Sequence, residues 1–133
     1  MKGFHDDIET LTSGNSDFRR VLYTGKHLQL VLMTLQPGEE IGAEVHEDRD
    51  QFFRFEEGNG EVDIDDNCYA VEDGSGIVVP AGARHNVRNT GDRPLKLYTL
   101  YGPPEHKDQV VQSTKAEAEA RHRHEEWDGG TTE

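Results

Sequence analysis

Four side chains stand at spacings from which a metal site could be assembled: Glu44, His46, Gln51 and His85. Glu44 and His46 are two residues apart, so on a β-strand both project from one face. Gln51 opens the next apolar run after the polar loop Glu47-Asp48-Arg49-Asp50, and His85 opens another after the turn Pro80-Ala81-Gly82. If those runs are walls of one barrel, all four side chains can reach a common interior point. Imidazoles with oxygen donors suit Fe, Mn, Ni or Zn better than Ca or Mg, and the lack of thiolate argues against a cysteine-type structural zinc site. Taken singly, each residue has a plainer reading: His46 and His85 as hydrogen-bonded interior histidines, Gln51 as a surface or capping residue.

The other candidates are weaker. His122 and His124, beside Glu125 and Glu126, fall on a predicted helix where residues two apart do not share a face, so they read as solvated surface. His5, His27 and His106 have no partner at ligand spacing. Cys68 is a lone thiol on a predicted strand with no base supplied by any motif, and it reads as a small buried residue. Phe53, Phe55, Leu97 and Tyr101 share a parity that could line a pocket, although core packing is the default for such residues. Arg54 has the opposite parity to Gln51 and reads as outward-facing. Beyond the four candidate ligands, the strand pattern places no Lys, His or Arg in the pocket.

The elements that must carry these residues are short. From Phe18 onward, β-branched and aromatic runs are cut by Gly, Pro, Asn and Asp clusters, which predicts strands near 18–23, 28–35, 40–46, 51–56, 60–65, 68–72, 76–80, 84–89 and 95–101. The punctuation between them, such as Gln36-Pro37-Gly38, Glu57-Gly58-Asn59-Gly60 and Thr90-Gly91-Asp92, is turn chemistry. No long helical pattern interrupts the runs, so a βαβ parallel sheet is excluded and an antiparallel sandwich or barrel remains. Residues 1–17 are polar and predict an irregular N-terminal arm. Thr114-Lys115-Ala116-Glu117 has the form of a capping box, so Thr114 to Trp127 predicts one C-terminal α-helix, with the lone tryptophan docking it. The end, Asp128 to Glu133, predicts a frayed tail unless another chain pins it.

The two motif-bearing segments resemble the paired signature of the cupin superfamily. Gly38, Glu44, His46, Gln51 and Gly58 match every spacing of its first motif, with Glu44 where a first His is usual and Gln51 where the Glu is usual. Gly74, Pro80, Gly82, His85 and Asn89 match all five positions of the second. The resemblance is to small single-domain bacterial cupins of the RmlC-like kind, loosely labelled mannose-6-phosphate-isomerase-like. It implies an all-β fold, a double-stranded β-helix or jelly-roll barrel over 18–104, with the arm before it and the helix and tail, 105–133, after it. It also implies a mononuclear divalent transition metal (Fe, Mn, Ni or Zn) on Glu44, His46, Gln51 and His85, and a homodimer. The two replacements move the carboxylate to another position while keeping one formal negative charge in the site.

Length and charge bound the rest. A chain of 133 residues supports one core and one domain. Its formal net charge of −13, from 27 acids against 14 Lys plus Arg, would repel a phosphate backbone or an anionic membrane, so neither nucleic acid nor membrane is an expected partner. One cysteine permits no internal disulfide, no signal pattern opens the chain and no run approaches roughly 20 apolar residues, which predicts a cytoplasmic protein. The expected activity is that of a metal-dependent enzyme, dioxygenase-like or an isomerase, on a small polar or carbohydrate-like molecule. The alternatives are a non-catalytic cupin that binds or senses a small ligand, and a phosphosugar isomerase, for which the motif strands offer little basic surface beyond Arg84 and Arg88.

Overall fold

A computed structural model describes all 133 residues, Met1 to Glu133. Ten strands follow one another as β1 (Arg19–Thr24), β2 (Gln29–Leu35), β3 (Glu44–Val45), β4 (Asp50–Glu57), β5 (Gly60–Ile64), β6 (Asn67–Val71), β7 (Gly76–Val79), β8 (Arg84–Asn89), β9 (Leu95–Gly102) and β10 (Val111–Gln112). Two short helices flank them, α1 (Ile8–Gly14) and α2 (Lys115–Arg121). The strands form two antiparallel sheets, one of order β10-β1-β2-β9-β4-β7 and one of order β3-β8-β5-β6. This is the expected all-β jelly roll.

The core lies between the sheets, and strand parity builds it. In β9 buried residues alternate with partly exposed ones, so Leu95, Leu97, Thr99 and Tyr101 point inward. Cross-strand partners share that face. One row therefore holds Gln29, Tyr101, Gln51 and Val79, and the next holds Val31, Thr99, Phe53 and Ile77. A third row holds Arg19, Met33, Leu97 and Phe55. Two of these rows end in polar side chains at the inner surface, and those side chains reappear at the site. Arg54 lies on the outer parity, as expected.

The motif residues outside the ligand set are structural. Gly58 has φ +97°, and a Cβ there would lie 2.8 Å from the Pro94 carbonyl oxygen and 3.1 Å from Leu95 Cα, so the β4–β5 turn admits only glycine. Asn89 donates through Nδ2 to the carbonyls of Leu35 (2.9 Å) and Arg93 (2.8 Å) and accepts from the Gly91 amide (2.9 Å), tying β2 to the β8–β9 turn.

Several expectations are corrected. The arm is not irregular: Asp7 caps α1 by accepting from the Thr10 amide at 3.1 Å, and Asn15 after it bonds Thr34 in β2. The strand expected over 40–46 is reduced to two residues, with Glu40 forming an isolated bridge to Arg88, because Gly42 at φ +109° breaks the ladder between them. The C-terminal helix stops at Arg121 instead of reaching Trp127. There the backbone turns to pair with the segment after β9, Lys107 N–H donating to the Glu125 carbonyl and Trp127 N–H to that of Glu105, and this pairing replaces further helical turns. Trp127 is half-buried there. The tail is held without a second chain: Thr132 bonds the Thr24 backbone, and the Glu133 carboxylate accepts from Tyr23 and from the amides of Lys2 and Gly3. Cys68 is exposed, because it lies on β6 at the sheet edge, facing away from the core. No helix is long and apolar enough to cross a membrane.

Candidate metal centre

Three elements deliver the ligand candidates to one end of the barrel. Glu44 on β3 is the direct cross-strand partner of His85 on β8, which places their side chains side by side on the inner face of the four-stranded sheet. His46 follows Glu44 by two residues and keeps its parity. Its carbonyl accepts from the Gly82 amide at 2.9 Å, while Asp50 accepts from the Ala81 amide at 2.8 Å, so the Pro80-Ala81-Gly82 turn fixes His46 relative to His85. One potential ligand atom from each of Glu44, His46 and His85 lies within 4.8 Å of the others. The two imidazole centroids are 5.3 Å apart. Gln51 arrives from the facing sheet, in register with Tyr101, whose ring packs edge-on to His46 at 6.1 Å.

Hydrogen bonding leaves two of the candidate donor atoms free, while the other two, His46 Nε2 and Glu44 Oε2, face each other at 3.0 Å. His85 Nδ1 donates to the Ala83 carbonyl at 3.2 Å, so Nε2 carries the lone pair, and that atom is buried with no partner. Gln51 Nε2 donates to Thr99 Oγ1 at 3.0 Å, leaving a buried, unpartnered Oε1. Two buried acceptors without donors would each cost about 1–3 kcal/mol unless something electropositive meets them. A cation fits that requirement, and the donor set of two imidazoles, a carboxylate and an amide oxygen is one that divalent transition metals accept.

The carboxylates set the charge. His46 Nε2 donates to Glu44 Oε2 at 3.0 Å, and His46 Nδ1 lies 3.5 Å from Glu105 Oε2. Burial pushes the Glu44 carboxyl up, but the hydrogen bond and charge of His46, with Arg19 and His85, outweigh it and hold the group below its ordinary range. The bond to Glu44 pushes His46 up against the opposing effect of burial. His85 is lowered, chiefly by burial, which keeps it neutral and able to ligate. Burial raises Glu105, with His46 and Arg49 pulling the other way; Arg49 Nε lies 3.0 Å from its carboxylate.

Five polar side chains that the sequence did not place at the pocket are there. Arg19, Glu105, His106, His122 and Glu126 join Glu44, Val45 and His46 around a cavity of about 320 Å³. Glu105 and His106 are held by Gln29, whose Oε1 accepts both their amides at 3.2 and 3.0 Å and whose Nε2 donates to the His106 carbonyl. His106 Nε2 lies 3.3 Å from the Tyr101 hydroxyl, and burial holds this imidazole well below its usual range. His122 stays exposed, 3.7 Å from Glu126, and forms part of the cavity rim. The available sequence signal was the parity of Arg19 on β1; the loop residues had none.

The comparisons with known proteins agree with this architecture. A family model described as "Cupin domain" matches residues 31–101. YrkC of Bacillus subtilis is 48% identical over 125 residues, which cover 90% of this chain and 67% of that protein. A protein of Acanthamoeba polyphaga mimivirus is 41% identical over 104 residues, covering 75% of this chain and 65% of the other. The chain thus spans about two thirds of the length of these two relatives. The crystal structure of BH2720 from Bacillus halodurans is 49% identical with a TM-score of 0.88, over 90% of this chain and 95% of that one. With both motifs inside the matched segment and two antiparallel sheets folded around a Glu/His/His cluster, the chain belongs to the cupin family.

Proposed function

We propose that this cupin holds one divalent transition metal through Glu44, His46, Gln51 and His85 and acts as a metal-dependent enzyme on a small polar molecule. The observation that carries the reading is the cluster of Glu44, His46 and His85 ligand atoms within 4.8 Å of one another, and it is supported by the buried, unpartnered acceptors His85 Nε2 and Gln51 Oε1. A metal bound there supplies Lewis acidity toward a substrate oxygen. The chain's own residues do the rest. Glu105 Oε2 lies 3.5 Å from His46 Nδ1 without a hydrogen bond, so it acts on the ring through charge, from the side opposite Glu44. Thr99 fixes the Gln51 amide so that its oxygen, not its nitrogen, is the free atom. Tyr101 and the His46 and His85 rings wall one side of the site.

Metal analysis of protein purified from medium without added metal tests the proposal, followed by titration of the chelator-stripped protein with Fe²⁺, Mn²⁺, Ni²⁺ or Zn²⁺. The expected result is close to one ion per chain, lost when His46 and His85 are both replaced by Ala. A stripped protein that takes up none of these ions would overturn the proposal and leave a metal-free module that binds a small ligand.

A further inference from the structure

Arg19 is the one cation on the inner face of the barrel rows described above, in register with Met33 and through it with Leu97 and Phe55. It is 8% exposed. Its Nη1 donates to Gln112 Oε1 at 2.7 Å, its guanidinium lies 5.3 Å from the centre of the Phe18 ring, and its buried Nε has no partner. No carboxylate forms an ion pair with it, in a chain where 27 acids outnumber 14 Lys plus Arg. Burying a charge without a counter-ion costs several kcal/mol, and the neutral carboxamide of Gln112 returns only part of that. The structure thus maintains a positive charge at the cavity with no carboxylate in ion-pair contact, since Glu44 on the same wall bonds His46 instead.

Arg19 also joins two spaces. It lines the cavity that contains Glu44 and His46, and a second one, of about 250 Å³, that runs under α2 with Phe18, Ile41 and Ala118 in its wall. Glu44 and His122 border both. A molecule lying along this groove meets Arg19 and Glu44 where the two cavities join, with the apolar patch and Lys115 on the α2 side and His46 on the other. The four carboxylates lining the two cavities each have another partner: Glu44 with His46, Glu105 with Arg49, Glu119 with Lys115 and Glu126 with His122. On the metal-site reading, a divalent ion and Glu44 sum to one positive charge, and Arg19 makes two.

We propose that Arg19 is the substrate-anion anchor, and that the site takes a small carboxylic acid bearing a second oxygen, such as a 2-hydroxy acid. The carboxylate meets the Arg19 guanidinium and the remaining oxygen reaches the metal site. This inference rests on the metal-site reading for the second contact only. Guanidinium and carboxylate match in geometry as well as charge, which neither the ammonium of Lys nor an amide reproduces fully.

The test uses the full chain loaded with Co²⁺, whose visible spectrum reports both metal uptake and changes around the ion. Glycolate, lactate and malonate are titrated into the parent, Arg19→Gln and Arg19→Lys, with lactamide as the uncharged control. The expected result is at least one acid whose affinity falls about tenfold or more in Arg19→Gln and recovers in part in Arg19→Lys. Lactamide binding and Co²⁺ affinity should not weaken. Equal acid affinities in the three proteins, or no acid binding to the parent, would overturn the proposal. If the parent takes up no Co²⁺, the ligand assignment fails by itself. The same titrations, followed calorimetrically on the metal-free protein, then decide the role of Arg19 by the same criterion. Should Arg19→Gln not fold, Arg19→Lys against the parent decides, with weakening of the acids but not of lactamide as the supporting result.

Discussion

In the proposed ligand set Glu44 would carry the negative charge, and Gln51 would add a neutral amide oxygen from the opposite sheet. The two positions should therefore respond oppositely to a change of charge. Glu44→Gln leaves two imidazoles and two amides and removes a unit charge from the donor set. Metal affinity should fall by more than the roughly 10–100-fold that losing an outer-shell partner costs. Gln51→Glu adds a charge and is compatible with its surroundings, because the Thr99 hydroxyl that now accepts from Gln51 Nε2 can instead donate to a carboxylate. Its affinity should rise. Isothermal titration of the stripped proteins checks both, and an unchanged affinity in Glu44→Gln would mean that Glu44 is no ligand. Cys68 shows the same dependence on neighbours outside the site. It is exposed, yet its thiol donates to Glu61 at 3.2 Å, and Glu61 and Asp63 together push it up to about 11, far from the thiolate that reactivity requires.

At the scale of elements, β2 positions a loop it does not belong to. Gln29 is fully buried and makes bonds through both ends of its amide, to Thr24 Oγ1 at 2.9 Å and to the backbone of Glu105 and His106. That clamp sets where the Glu105 carboxylate stands behind His46. Gln29→Leu keeps the bulk but leaves the two loop amides and a carbonyl without partners, at about 1–3 kcal/mol for each group that water cannot reach. The expected outcome is a lowered melting temperature together with metal affinity weakened by up to about 10–100-fold, since His46 loses the carboxylate charge beside Nδ1. Thermal melts and metal titrations of the variant check this. A stability loss with unchanged metal affinity would show that Glu105 keeps its place without the clamp. The C-terminal segment works in the same way: α2 stops at Arg121 so that Glu125, Glu126 and Trp127 can pair beside Glu105 and His106, which brings Glu126 and His122 to the cavity rim.

For the whole molecule, the candidate ligands belong to both sheets, Glu44 and His85 to the four-stranded one and Gln51 to the six-stranded one. An ion bound by all of them joins the two layers of the jelly roll and binds only the folded chain. Metal at about one hundred times its dissociation constant should then stabilise the fold by about 2.7 kcal/mol. For a domain of this size that corresponds to a rise in melting temperature of roughly 5–10 °C. Melts with and without chelator measure it. Gln51→Ala should reduce the shift, because it removes the contact from the opposite sheet.

The sequence by itself determined the all-β class, the turn positions and the core strands, because strand parity and Gly/Pro punctuation are local properties that two neighbouring residues reveal. It also determined which candidates could meet: the two-residue spacing of Glu44 and His46 fixes a shared face, and the turn before His85 fixes where β8 starts. Sequence propensity misjudged the ends. The run to Trp127 is rich in helix formers, but backbone pairing with the segment after β9 outweighed propensity, and the arm gained α1 through the cap at Asp7. The inner wall of the site was decided only by the tertiary structure. Gln29 and Arg19 are polar residues on strands whose role depends on what lies across the barrel, and Glu105 and His106 sit in a loop without periodicity. Their placement follows from long-range hydrogen bonds, which no local spacing encodes.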